Sequence, residues 1–545
     1  MTIEKLCKSE QYFFYFFLLL NLLPVFSVKF FPTVDSPAHL YNANIINELL
    51  FKKSPISSFF ILNSEIIPNW ISHIVLSFFS LFLPGFIAEK VLLTLYLLAL
   101  PVSFRSLVKV ISPGNYYLSY IIFPLSYSTL LLLGFYNFSI ALIFMFFTLS
   151  VYIRNEEDKK SGKRFAGMFF LFLLTYFSHI FVFIILISAI SSVLLLNFVV
   201  KVIRSNSSFP KVITEYFRKI LFVILAAIIP LILFAAYYFP RQSGNLFPVY
   251  QSYSKLLLML KDFHAVIMYN INLEEKYSKK LAYITLALLL IAIYQRIKLI
   301  ISKPNTENNK IAAIIRNSIQ PTDSWLLMAL MVLFLVFKMP DSNTMGGFVS
   351  IRLSLLFFMM LFLWLSTQKI SIPVSAFFAG LILILHFLLM NFNIASLREL
   401  NKIAIDCNNA SGYIRPFSTV LPINCSENWL HVHYSNYIGI DKPIVVLENY
   451  ECEVGYFPVK WNEKELPDLV LGDLHSYQLN GIRWRSNIRN KLAPIDYIFV
   501  LDNLDIRVDS NSNKVRNIID KQYIKIYQNA SCKLYEYRKT TGANF

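Results

Sequence analysis

Tyr12-Phe13-Phe14-Tyr15-Phe16-Phe17-Leu18-Leu19-Leu20-Asn21-Leu22-Leu23-Pro24-Val25-Phe26-Ser27-Val28-Lys29-Phe30-Phe31 carries one charge in its whole length. As a helix it spans about 30 Å, the thickness of the hydrocarbon core of a bilayer. It is too long for the apolar centre of a signal peptide and has no small-residue cleavage site, so it reads as a first membrane span. Similar runs recur near 86–104, 115–134, 135–153, 165–180, 181–200, 220–239, 281–300, 324–338, 350–366 and 372–391. The expected fold is a mostly α polytopic membrane protein of about 11–13 transmembrane helices. Composition agrees: the 545 residues are 56% hydrophobic and 15% charged, with 50 Phe and 31 Tyr. Lipid must solvate most of such a chain.

The formal charge of +17 invites a nucleic-acid reading, but its distribution argues against one. From Arg398 onward 18 Lys/Arg face 17 Asp/Glu, so the excess lies in the membrane part. There it gathers in short clusters, such as Arg154, Lys159, Lys160, Lys163 and Arg164, then Lys201, Arg204, Lys211, Arg218 and Lys219. That is the positive-inside pattern of cytoplasmic loops, whereas nucleic acid needs one basic surface. It predicts a cytoplasmic (inner) membrane protein with a cytoplasmic N-terminus, an outer loop at 32–85 and an extracytoplasmic, periplasmic tail. The segment 69–83 reads as a helix lying in the outer interface, because a further span there would move the 154–164 cluster outside.

After 391 charged residues, Asn, Gly and Pro become frequent and spanning runs cease. The chain divides into a membrane domain, 1–391, and an exported soluble domain, 392–545, of α/β or α+β type. Strands are expected at 443–447, 497–501, 523–527 and 533–537, the last two as a hairpin around Gln528-Asn529-Ala530-Ser531. Cys407, Cys425, Cys452 and Cys532 all fall in the tail, where export would favour two disulfides over four free thiols.

The richest segment for chemistry follows the first span: Phe30-Phe31-Pro32-Thr33-Val34-Asp35-Ser36-Pro37-Ala38-His39-Leu40-Tyr41-Asn42-Ala43-Asn44. Ser36 reads as an N-cap and Pro37 as a first-turn residue, with Leu40, Ile45, Leu49 and Leu50 on an apolar face. Asp35 then precedes the helix and His39 lies one turn along it. A helix-capping role for Asp35 is as well supported by these residues as a catalytic one.

An Asp directly after the first span, interfacial helices, many further spans and an exported tail together resemble the GT-C class of membrane glycosyltransferases. The resemblance is concentrated in Val34-Asp35-Ser36-Pro37-Ala38-His39-Leu40-Tyr41. It implies an enzyme that moves a sugar from a polyprenyl-phosphate donor to a lipid-linked or envelope glycan acceptor on the outer face, with Asp35 as general base. Ser36 stands where a second carboxylate often does, which weakens a two-carboxylate metal site. A divalent metal is left open, with Asp35 its candidate ligand, and no other cofactor is indicated. Topology adds His39, His179, Asp341 and Arg352 as substrate-binding candidates, Arg352 as a bidentate clamp on the lipid phosphate. Against these stand a packing histidine for His179, a turn residue for Asp341 and a snorkelling anchor for Arg352.

His431 and His433 alternate as on one strand face, yet no third ligand is spaced to complete a zinc site, so they read as structural. The aromatic stretch 449–461 suits sugar stacking, but a small domain's core has the same composition. Walker, Rossmann and nucleophile-elbow motifs are missing, leaving a nucleotide-sugar enzyme or ATP-driven pump without support. The rival readings are a transporter or flippase for lipid-linked saccharides and an assembly scaffold.

Overall fold

The computed structural model describes residues 3–154, 161–204, 208–241, 247–302, 318–343, 346–462, 464, 466, 469–471, 482–484, 495–504 and 510–538. Ten helical segments among them are long and apolar enough to cross a membrane. They coincide with ten of the eleven expected runs. The eleventh forms helix Ser161–Ser178, which opens on Lys163 and Arg164 and so lacks a fully apolar length. The 69–83 segment forms helix Ile71–Ser80, ten residues and too short to span. Ile74 and Phe78 are exposed along it, and Phe82 is exposed just past its end.

The chain divides into two compact units. The first comprises Met1–Leu22 and Tyr96–Asn393 and holds most of the spanning helices. Phe14, Leu18, Tyr120, Phe123, Ala379 and Leu383 form a buried cluster inside it. A buried Arg105–Glu10 ion pair lies beside that cluster, with the guanidinium 4.2 Å from the Phe14 ring centre. One span is discontinuous: Tyr116–Leu133 is built from a 3-10 turn and two five-residue helices. Backbone groups freed by such a break need partners in lipid. Here Ser126 O accepts from the Tyr96 hydroxyl, and Ser128 Oγ caps Leu131 N.

The second unit comprises Leu23–Leu95 and Ile394–Phe545, so the 32–85 segment groups with the tail. Its strands are β1 (Phe60–Leu62), β2 (Thr419–Asn424), β3 (Val445–Val446), β4 (Val459–Trp461), β5 (Leu469–Leu471), β6 (Ile482–Trp484), β7 (Tyr497–Leu501), β8 (Tyr523–Gln528) and β9 (Cys532–Tyr537). Five make a mixed sheet in the order β3-β2-β7-β9-β8, parallel across β3-β2-β7 and antiparallel beyond. Tyr-Ile-Phe-Val-Leu of β7 is buried throughout, as a central strand should be. Pro422 is tolerated in β2 because β3 pairs only with Thr419 and Val420, leaving no ladder partner for the missing N–H. The expected hairpin is present as β8 and β9. All four tail cysteines are buried, and none is in a disulfide.

Loop and tail are joined by β1 and β4, which pair antiparallel. Helix Ser36–Asn47 is buried on every face, and this corrects the expectation of an amphipathic interfacial helix. Its polar side is covered by tail residues. Asn42 and Asn449 exchange reciprocal amide hydrogen bonds of 3.0 and 2.8 Å. Tyr41 OH donates to Ile444 O and accepts from Val446 N. Gly439 permits this approach, since a Cβ there would sit 2.5 Å from the Tyr41 ring.

Candidate functional site

Asp35 occupies the N-cap position of helix Ser36–Asn47, yet its side chain makes no cap hydrogen bond. Thr33 Oγ1 accepts from Ser36 N in its place, at 3.1 Å. Ser36, expected to be the cap, is the first helical residue, and its hydroxyl donates to the buried Glu89 carboxylate. Glu89 also accepts from Phe31 N at 3.3 Å, so this second acid is spent on holding the chain where it enters the helix.

The Asp35 carboxylate is free of local backbone duty and 8% exposed as a residue. Its Oδ1 lies 3.9 Å from His433 Nε2. His433 is fully buried, stacks on the Tyr450 ring at 4.5 Å, and directs Nδ1 at Glu448 Oε1, 2.9 Å away. Glu448 is in turn held by Ser435 Oγ and Asn436 Nδ2. The ring is therefore oriented, while Nε2 makes no hydrogen bond. Glu448, His433 and Asp35 form a line in which a backed imidazole faces a carboxylate.

Burial raises the Asp35 pKa, and Glu451 adds to the shift, against opposing pulls from His39 and His433. For His433 burial works against the charged form, but Glu448, Asp35 and Glu451 outweigh it and the pKa rises. The two neighbours thus shift in the same direction for different reasons, the Asp35 carboxyl by burial and the His433 imidazole by the carboxylates around it.

A second group adjoins this line. His39 Nδ1 lies 2.5 Å from Glu451 Oε1, and His73 Nε2 lies 2.8 Å from Glu451 Oε2. The rings meet edge to face with centres 5.1 Å apart. Burial alone would raise the Glu451 pKa, but His73 and His39 override it and hold the group at about 2. Among the described residues of the second unit, these three are able to converge on a metal ion. The set includes His39, expected to bind substrate, and leaves out Asp35, for which a metal-ligand role was left open.

The other expected site residues lie in the first unit. Arg352 Nη1 is 3.4 Å from His179 Nε2, and its guanidinium packs over Phe135 and Phe138 at 4.7 and 5.7 Å. The structure thus brings two of the candidates together. Asp341 does not join them: Oδ1 accepts from Ser350 N and Oδ2 from Gln251 Nε2, both at 2.9 Å. It accepts from an amide in the first turn of helix Val349–Ser366, whose N-cap residue is Phe348, and braces a loop.

Sequence reasoning passed over His73, Glu89, Glu448 and Glu451 and set His433 aside as structural. His431 and His433 lie in and after a 3-10 turn rather than on a strand, and His431 bonds Ser426 Oγ at 2.8 Å. The available signal was scarcity: the chain has eight histidines, and three of them meet acids here. A scan against protein-family models and a search of curated proteins each returned no match to this chain.

Proposed function

We propose that this chain is a membrane glycosyltransferase that moves a sugar from a polyprenyl-phosphate donor to a glycan or glycolipid acceptor at the outer face of the cytoplasmic membrane, with Asp35 as general base. One observation carries the reading: Asp35 is a buried carboxylate beside a helix N-terminus that it does not cap, facing an imidazole backed by Glu448. A purely structural acid would be expected to take the backbone N–H of the first turn, where Thr33 takes that of Ser36 instead.

The chemistry needs little more from the protein at the acceptor. The acceptor oxygen forms a bond to the anomeric carbon, its proton passes to Asp35, and the bond from that carbon to the phosphate oxygen breaks with the electron pair leaving on phosphate. Two atoms 3.9 Å apart can both lie about 2.8 Å from one hydroxyl oxygen, so Asp35 Oδ1 and His433 Nε2 can grip the same acceptor. His433 orients the hydroxyl, and its positive form steadies the carboxylate until the proton moves. Within the first unit, Arg352 is proposed as a phosphate clamp, a role with its own test.

The transporter reading finds less support. Carbonyls at broken helices bind ions in many transporters. At the break in span Tyr116–Leu133, Ser126 O instead accepts a tyrosine hydroxyl, and Tyr127 OH reaches Asn21 O. The cavity beside His386 has a volume of about 10 Å³, room for no more than one water.

The testing experiment offers purified protein a panel of polyprenyl-phosphate sugars with membrane glycolipid extracts. Wild type transfers sugar, and the rate falls as pH drops through the raised Asp35 pKa, because the base must be ionised. Absence of turnover with every donor, from folded protein in lipid, overturns the reading.

A further inference from the structure

Three separate segments deliver donor atoms to one buried point: His39 from helix Ser36–Asn47, His73 from helix Ile71–Ser80 and Glu451 from helix Tyr450–Val454. We propose that His39 Nδ1, His73 Nε2 and the Glu451 carboxylate bind one first-row divalent transition metal, zinc above all, which clasps the first outer loop to the tail.

The geometry is close to what a zinc ion requires. Bonds of 2.0–2.1 Å in a tetrahedron set ligand atoms about 3.4 Å apart. Here the two imidazole nitrogens lie 2.5 and 2.8 Å from the carboxylate oxygens, and the three ligand atoms fall within 4.8 Å of one another. Shifts below 1 Å open the contacts to metal distances. Both imidazoles present the nitrogen that would ligate, so no ring has to turn over.

The charge balance points the same way. His39 is 3% exposed, and His73 and Glu451 are 0% exposed. A divalent cation there would share its charge with the Glu451 carboxylate in a dry place, where an unshared charge is costly. Phe457 closes one side, with its ring centre 6.0 Å from His39 and 5.6 Å from His73. Ser72 Oγ lies 3.4 Å from His73 Nδ1, positioned to steady the second nitrogen as outer-shell partners do. Nitrogen-rich donors disfavour calcium and magnesium, which take oxygen. Three protein ligands leave a position for water, the arrangement of an open rather than a closed zinc site.

A second cluster, Asp262, His264 and Glu275, offers a natural control. It lies in the first unit, its His264 and Glu275 are partly exposed, and Lys279 reaches its carboxylates at 3.2 and 3.8 Å, supplying a cation from the protein itself.

The test uses the full chain in detergent, stripped with chelator and titrated with Co²⁺ and then Zn²⁺. Wild type takes up one equivalent, gives the visible absorption of cobalt bound to nitrogen and oxygen, and melts at a higher temperature with zinc. His73→Ala and Glu451→Gln lower uptake at least tenfold, and Glu275→Gln leaves it unchanged. If the first two variants do not fold, wild type and Glu275→Gln decide: one equivalent in both sustains the site. No uptake by folded wild type, or uptake lost in Glu275→Gln, overturns it. The readout is metal content, so it stands apart from whether the chain transfers sugars.

Discussion

Two aspartates each lie near the start of a helix, Asp35 directly before Ser36–Asn47 and Asp341 in the loop that leads to Val349–Ser366, and their fates differ. Asp341 gives both carboxylate oxygens to neighbours, one to the Ser350 amide and one to the Gln251 side chain. Asp35 gives none to its own helix and faces His433. An acid that caps is stabilised by backbone dipoles and has its lone pairs committed. An acid relieved of capping keeps lone pairs for other groups, and the cost of its burial is offset only in part by the histidines and Tyr450 beside it. On the proposed function, this contrast marks scaffold from chemistry more sharply than burial does.

The strongest way to break the comparison is to remove each charge while keeping shape. Asp35→Asn is expected to lower transfer by about 10²–10⁴-fold, the usual range for a general base. Asp341→Asn is expected to change it by less than about threefold, and equal losses in the two variants would dissolve the distinction. Stability should run the other way. The folded-state pKa of Asp35 is raised, so its contribution to stability is present at low pH and is lost as pH rises from the ordinary aspartate range through the folded value. At neutral pH the ionised Asp35 destabilises, and Asp35→Asn should match or exceed the wild-type melting temperature. Asp341→Asn should fall below it by the loss of a charged acceptor for the Ser350 amide, about 1 kcal/mol.

Glu448 sharpens the account of Asp35. If His433 positions the acceptor, Glu448→Gln lets the ring turn and lowers kcat by about tenfold or more, with a displaced pH profile. A uniform loss with unchanged pH profile would assign Glu448 to packing alone.

A smaller effect is expected at the contact that seats the Asp35 helix. Gly439→Ala drives a methyl against the Tyr41 ring and should destabilise by about 1–3 kcal/mol, read by thermal melting in detergent. An unchanged melting temperature would mean that Tyr41 yields freely. In the first unit, Arg352→Ala should weaken donor binding, and a cost below about threefold would return Arg352 to the role of an aromatic-packed anchor.

Much of the fold was legible because it rests on local pattern. Spans declare themselves by length and apolarity, and Ser161–Ser178 blurred only because its first turn is basic. Tyr497–Leu501 and the 523–537 hairpin were visible as β-branched and aromatic runs around a polar turn. The disulfide expectation failed because cysteine count says nothing about which chain segments meet.

The site was half legible for the same reason. Asp35 and His39 lie one turn apart on a helix that the sequence announces. Their partners lie about 400 residues away: His39 meets Glu451 across 412 positions and His73 meets it across 378. No spacing rule spans such distances. The tail acids also sit within an aromatic stretch, where a core reading of Tyr450 and Phe457 was correct and concealed Glu451 between them.

The central claim is that Asp35 is an acceptor-activating base, and sugar transfer by matched wild-type and Asp35→Asn proteins in detergent tests it most directly. Transfer by the wild type that falls at least a hundredfold in a variant melting no lower than wild type is the predicted result. Transfer retained within threefold by that folded variant would contradict the account and leave Asp35 a buried acid without a catalytic part.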